Sequence, residues 1–380
     1  MRRAGLSALA SMAVVIPIPQ GPNASSLPRF QGSAATPAPV IAPAPPQHPF
    51  MAPNDRSNIH DDAYMSDTAA FPGPLGAGGI QAQSAFQGSE CASITFDAKG
   101  RLVTVCVGLT GPTLELIDPA TLATLARFPL PPRDPTAGNP FTSFGGGGYF
   151  YLDNEDRAVI PTTTRHVLVV GEQGDGFVQQ RDYDATAVVA LGDSIISALP
   201  DWSGRIWLAS KNGVVATIDP ASGAVHAIDT GEPIGNSFAV GEDGGVYIVS
   251  DAAMYRFVAG PDGTPVVSWR TPYANVGVAK PGQTEKGSGT TPTLMGSDYV
   301  SITDNADPMD VVVLNRHTGA VVCTVPVFAK GASDTDQSLI ATDTAMIAEN
   351  NYGYSSPLAT ENGATTTGGL ARVDLDPATN

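Results

Sequence analysis

The chain has 380 residues, with 20 Lys+Arg against 37 Asp+Glu and a formal net charge of −17. That balance argues against a nucleic-acid or anionic-membrane surface, because both need basic patches. With 42% hydrophobic and 15% charged residues, and with 41 Gly and 33 Pro, the composition describes a turn-dense globular chain with a core, neither disordered nor helical.

Arg2 and Arg3 precede an apolar run at 4–18 that Pro17 and Pro19 break. This is the layout of a secretory signal peptide over 1–25, and it predicts bacterial-type export to an extracytoplasmic location. A twin-arginine signal is the weaker alternative, since the rest of that motif is missing, and a short core segment is the plain one. Residues 26–50 are rich in Pro and Ala and read as an extended linker. No other long apolar segment follows, so no membrane span is expected, and a monomer is. Residues 51–88 read as a cap before the main domain. There, His60-Asp61-Asp62 sits near Met51, Tyr64 and Met65. Folded over one mouth of that domain, the cap would lend His60 as a catalytic base; a solvated turn is the plainer reading. Ile80–Phe86 alternates and predicts a strand.

From residue 89 the chain repeats one grammar: an apolar strand, an acidic turn ending in Gly, a second strand. It appears around Asp97-Ala-Lys-Gly100, Asp201-Trp-Ser-Gly204 and Glu242-Asp-Gly-Gly245, with weaker copies near Asp153, Asp298 and Asp343. A second turn follows each strand pair later in phase, as in Asp118-Pro-Ala-Thr121, Asp219-Pro-Ala-Ser222, Asn315-Arg-His-Thr318 and Asp376-Pro-Ala-Thr379. The mean spacing of about 49 residues, with about four short strands per unit, is the size of a propeller blade. The predicted fold is an all-β β-propeller over 89–380, with about six four-stranded blades. The last blade runs out after its third strand, so Ile80–Phe86 is expected to close it from the N-terminal side; a chain lacking a further blade is the alternative.

The cysteines are 91, 106 and 323. A hairpin turning at Asp97–Gly100 puts Cys91 opposite Cys106, which predicts a cross-strand disulfide with Cys323 free; three reduced thiols are the alternative.

Gly192-Asp193-Ser-Ile-Ile-Ser-Ala-Leu-Pro-Asp201-Trp-Ser-Gly204-Arg-Ile-Trp207 and Val215-Ala-Thr-Ile-Asp219-Pro-Ala-Ser-Gly223 resemble a blade of the regucalcin–gluconolactonase family, and Gly235-Asn236-Ser resembles its Asn-Gly strand start. The resemblance covers about residues 190–250, and it is shared in part with pyrroloquinoline-quinone-type repeats. It implies a six-bladed propeller with a divalent metal, often calcium, in the central tunnel. Carried onto this chain, it makes Glu90, Asp193, Asn236 and Asp336 the metal ligands, with Gly146, Thr290 or Thr291 and Gln337 at equivalent positions. It also implies a lactonase- or esterase-type hydrolase at the tunnel mouth, for which Asp193 and, from the cap, His60 are the candidate catalytic residues. This sequence departs from the family in order, with Asp193 before Asn236, and in the residues after Glu90. Strand-start caps around tunnel water are the plain alternative.

Asp304-Asn305-Ala-Asp307-Pro-Met-Asp310 packs carboxylates without the Gly and distal Glu of an EF-hand loop, and Glu349-Asn350-Asn351 falls one unit later on the same rim. Gly145–Gly148 reads as a flexible connection. Besides the hydrolase, two functions stand: a non-catalytic propeller binding a small-molecule ligand or another protein, and a quinone-dependent dehydrogenase. Three Trp and no adjacent Cys pair weaken the last.

Overall fold

The computed structural model describes residues 41–71, 73, 83–85, 89–108, 111–134 and 145–379. Residues 39–71 and 85–380 form one compact unit. The expected signal peptide, most of the linker and most of the expected closing strand lie outside the described residues; 83–85 are irregular and exposed.

The propeller grammar is realised as six antiparallel meanders taken in chain order. Blade 1 is β1 (Ser89–Phe96), β2 (Leu102–Gly108), β3 (Gly111–Ile117) and β4 (Thr124–Pro129). Blade 2 is β5 (Tyr151–Leu152), β6 (Ala158–Pro161), β7 (His166–Gln173) and β8 (Gly176–Asp184). Blade 3 is β9 (Ile195–Pro200), β10 (Ile206–Ser210), β11 (Val214–Ile218) and β12 (Val225–Asp229). Blade 4 is β13 (Ala239–Val240), β14 (Val246–Val249), β15 (Ala253–Ala259) and β16 (Pro265–Pro272). Blade 5 is β17 (Thr293–Met295), β18 (Tyr299–Thr303), β19 (Asp310–Asn315) and β20 (Val321–Pro326). Blade 6 has three strands among the described residues, β21 (Ile340–Ala341), β22 (Ala345–Glu349) and β23 (Leu370–Asp374). A short 3₁₀ turn, Pro357–Gly363, is the one helical element described.

The repeated acid has one mechanical job. Oδ1 of Asp97, Asp153 and Asp201 accepts the backbone N–H groups two and four residues on, which folds the turn between the first two strands. Asp118, Asp219 and Asn315 do the same for the third turn, through the N–H groups two and three residues on. Apolar alternation then packs each sheet on the next. Trp207, Tyr247, Phe238 and Phe257 lie fully buried in a core that runs through blades 2 to 5.

The hairpin of blade 1 is one residue longer than the turn alone predicts, since Ser93 pairs with Val105 and Phe96 with Leu102. A bulge between Cys91 and Ser93 restores Cys91 opposite Cys106. The two are disulfide-bonded, with Cα atoms 4.0 Å apart, and Cys323 is free. The glycine run is not a loose connection. Gly147 (φ +107°) is buried in a turn where a Cβ would stand 2.9 Å from Val105 and 3.1 Å from Ile160.

The cap is not a lid. Residues 51–66 run among the innermost strands and bond to their open edges. Ala52 N–H donates to Leu152 O (2.9 Å) and Leu152 N–H to Ser57 O (2.7 Å) in blade 2. Val240 N–H donates to Ala63 O in blade 4, Leu294 N–H to Tyr64 O in blade 5 and Ala341 N–H to Ser66 O in blade 6. Thr95 Oγ1 in blade 1 donates to Arg56 O at 2.8 Å. For blade 3, Met65 lines one tight space with Leu199. One 16-residue stretch therefore meets the first strand of every blade. Their inner edges would otherwise present unpaired N–H and C=O groups.

Candidate functional site

The faces of the propeller differ. One carries the acidic turns; the other, the mouth face, carries the starts of the innermost strands and the longer loops. The axial segment enters beside the turns of blades 2 and 3, where His48 meets Trp202 edge-on at 4.0 Å between ring centroids. It turns back at His60. Asp55, Asp61, Met65 and Asp67 all take positive φ without being glycine, so packing holds this segment in a conformation the chain alone disfavours.

His60 is buried at the tip. Its Nδ1 lies 3.1 Å from both oxygens of Asp67, its Nε2 lies 3.3 Å from Thr291 Oγ1, and its ring stacks near Tyr149 with centroids 6.0 Å apart. Burial pulls the imidazole down, but Asp67, Asp62 and Asp61 together outweigh it and hold His60 above the ordinary histidine value. Burial and the neighbouring acids raise Asp61 to about 7. Burial raises Asp62 to about 6, although it accepts Tyr64 N–H at 2.7 Å and the Ser66 hydroxyl. Burial, with Asp336 and Asp67, raises the Tyr149 phenol.

Over this tip lies a strap, residues 273–291, between blades 4 and 5. Tyr273 Oη donates to Ser250 O (2.5 Å), Asn275 Nδ2 to Asp251 O (2.5 Å), and Thr284 Oγ1 to Asp336 Oδ2 (3.0 Å). Lys211 pairs with Glu285 at 3.5 Å. The strap thus ties blades 3, 4 and 6 together across the mouth.

Of the predicted metal ligands, Asp193, Asn236 and Asp336 sit just before innermost strands and serve other partners. Asp193 is buried and accepts Ser194 N–H (2.8 Å), Asn212 N–H (3.0 Å) and Ser210 Oγ–H (2.6 Å), pinning the hairpin of blade 3. Asn236 Nδ2 donates to Ser288 O of the strap at 2.9 Å. Asp336 holds Thr284; burial and Glu285 raise it to about 6 against that bond. Glu90 lies in β1 opposite Val107, and its side chain lies outside what is described. Among the described residues no three His, Cys, Asp or Glu side chains form a metal-binding group. Asp193, Asn236 and Asp336 are thus engaged separately, the first within the hairpin of blade 3 and the other two at different points of the strap.

An open concavity lies on the opposite face, between blades 2 and 3. It is a cleft of about 430 Å³ with Tyr151, Val159, Val169, Tyr183 and Ile206 as its apolar lining and Asp153, Arg157, Ser203 and Asp219 among its polar groups. Phe50, just before the axial segment, forms part of its wall. Neither this cleft nor the axial filling was visible as a motif. The nearest sequence signal was the apolar set Met51, Ala52, Ala63, Tyr64 and Met65 in an otherwise polar stretch, all now buried.

No family model matches the chain. A stretch of 188 residues is 32% identical to an uncharacterized protein of Archaeoglobus fulgidus, covering 43% of this chain. The match spans 36% of that relative, about a third of its length. Among solved structures the chain is similar to a streptogramin B lyase (TM-score 0.46, 11% identity, 68% of this chain and 75% of that one). It is similar too to a virginiamycin B lyase from Staphylococcus aureus (0.46, 12%, 70% and 78%) and to a quinohemoprotein alcohol dehydrogenase from Pseudomonas putida (0.44, 14%, 74% and 60%). The chain is a β-propeller. The narrower resemblance to the regucalcin–gluconolactonase family rests on residues 190–250 alone.

Proposed function

We propose that this protein is an exported, non-catalytic binding propeller that takes a small ligand in the cleft between blades 2 and 3. The observation that carries the reading is the filled axis: residues 51–66 occupy the space where a tunnel ligand or metal would sit, while the cleft stays open. Its volume falls in the range of small-molecule sites, and its lining suits an apolar or aromatic body with polar ends. The Cys91–Cys106 disulfide supports an oxidising, extracytoplasmic location.

Ala221 is exposed and sits at the cleft, so Ala221→Trp fills it without touching the core. A panel of small amphipathic aromatic compounds, screened by thermal shift, should yield binders that stabilise the wild type and leave Ala221→Trp unmoved. Binders that stabilise both proteins equally would place the site elsewhere.

A second reading, a hydrolase of lactones or esters, is favoured by one observation: His60 stands between Asp67 and Thr291, as a general base stands between its orienting carboxylate and a hydroxyl. It requires the strap to move, because Thr291 is only 1% exposed and His60 7%. Turnover of a lactone or ester panel by the wild type, lost in His60→Gln, would establish this reading over the first.

A further inference from the structure

One histidine holds the chain where it enters the axis. His48 is 1% exposed and meets Trp202 of the blade 3 turn edge-on, with ring centroids 4.0 Å apart. Its Nδ1 accepts the Phe50 backbone N–H at 3.1 Å. A backbone N–H can only donate, so the neutral ring carries its proton on Nε2, which is buried and makes no full hydrogen bond. Protonation puts a second N–H on Nδ1, facing the Phe50 donor, and places a charge in a buried site.

The Phe50 end of that bond belongs to the cleft. Phe50 lines the cleft wall, and its ring lies against Gly204 (φ +87°), where a Cβ would stand 2.9 Å from ring carbons Cε1 and Cζ. From the blade 2 turn, Asn154 Nδ2 donates to Pro49 O at 3.0 Å and Asn154 N–H to Phe50 O at 3.3 Å. Residues 48–50 therefore bridge the turns of blades 2 and 3 at the cleft. The charged groups on those turns are Asp201 and Arg205 in blade 3 and Asp153, Glu155, Asp156 and Arg157 in blade 2. Of these, and of Asp55 and Arg56 along its own segment, Asp201 alone acts on the His48 ring.

We propose that His48 is an acid-released latch on the cleft: neutral, it holds Phe50 in the wall, and protonated, it frees Phe50 and with it the bound ligand. The inference rests on the reading of the cleft as the binding site. Burial is the largest influence on the ring and lowers it to about 4, against Asp201 and the Pro200 carbonyl, which raise it. A freed His48 returns to the ordinary value of 6.5. The docked ring thus holds fewer protons than the freed one, so docking is unimpaired above about 6.5 and weakens progressively down to about 4. Between about pH 7.5 and about pH 5, release becomes about thirtyfold easier. Acids raised by burial elsewhere, such as Asp61 and Asp336, act with the opposite sign on the whole fold, so the latch has to be read locally.

The test follows hydrogen exchange of the Phe50 backbone N–H in the full chain without ligand, at about pH 7.5 and about pH 5, corrected for the intrinsic pH dependence of exchange. Leu294 N–H, which donates to Tyr64 O further along the segment, is the internal reference. Relative to Leu294, Phe50 protection should fall about thirtyfold in the wild type. It should hold in His48→Asn, whose amide oxygen keeps an acceptor near the place of Nδ1 without titrating. In a second arm, amphipathic aromatic binders of the cleft are titrated calorimetrically at both pH values. Their affinity should weaken in acid by up to about thirtyfold in the wild type and stay level in His48→Asn. Phe50 protection that stays flat, that falls alike in the variant, or that falls while affinity does not, overturns the proposal. Should His48→Asn fail to fold, Phe50 against Leu294 in the wild type decides. If no compound binds at either pH, the cleft reading fails and the regulation with it, while exchange still shows whether the latch opens.

Discussion

Removing Arg316 should loosen the axial segment from the blades that hold it. This guanidinium is fully buried. Nη1 donates to Tyr64 Oη (3.2 Å) and Gly296 O (2.8 Å), and Nη2 meets Glu242 Oε2 at 3.0 Å and Asp243 Oδ1 at 3.2 Å. Nε lies 3.3 Å from Tyr247 Oη, and the charge sits 5.5 Å from the Tyr64 ring centre and 5.8 Å from that of Tyr247. Arg316→Met keeps most of the volume and removes every one of these bonds. Breaking a buried ion pair costs about 3–5 kcal/mol. Glu242 is 38% exposed and rehydrates when its partner goes, so the lower end of that range, about 3 kcal/mol, is expected. Tyr64→Phe removes one hydroxyl that also donates to Glu242 (2.5 Å) and should cost about 1–2 kcal/mol. Urea unfolding of both single variants and the double variant gives the coupling, expected at about 1 kcal/mol or more for side chains in contact. Additive single losses, or a loss below about 1 kcal/mol for Arg316→Met, would refute the view that Arg316 fastens Tyr64, and with it the axial segment, to blades 4 and 5.

Other outcomes follow from the same physics. Gly147→Ala should cost about 1–3 kcal/mol, from a methyl driven against Val105 and Ile160 and from its left-handed backbone; an unchanged unfolding midpoint would return 145–148 to a loose connection. Thiol titration of the denatured, unreduced protein should find one free thiol, and Cys91→Ser with Cys106→Ser should lose about 3 kcal/mol, the loop-closure value for a separation of 15 residues. Stability should fall as pH rises from about 4 to about 7. Asp61 and Asp334 (about 7) and Asp62, Asp251, Asp304 and Asp336 (about 6) are all raised first by burial, so the folded state holds protons that the unfolded chain has released. Unfolding midpoints flat across that window would contradict these burial effects.

Much of the fold was legible because its cause is local. An Asp that folds its own turn needs only its next four residues, so Asp97, Asp201 and Asp219 announced their hairpins, and their spacing announced blades. Even the disulfide could be reached by counting across a turn, although the count succeeded only because the bulge at residues 91–93 cancels the extra residue at the turn. The site was far less legible. Asp193 reads as a ligand in sequence and is a hairpin pin in space, because its three donors come from positions 194, 210 and 212 and are gathered only when blade 3 closes.

The sequence by itself determined the turns, the strand alternation and the repeat, each a matter of a residue and its close neighbours. The tertiary structure alone decided that residues 51–66 fill the axis and that the cleft between blades 2 and 3 stays open. Both depend on open strand edges and apolar faces that exist only after distant segments have packed, and main-chain hydrogen bonds at such edges leave no mark in the identity of the side chains.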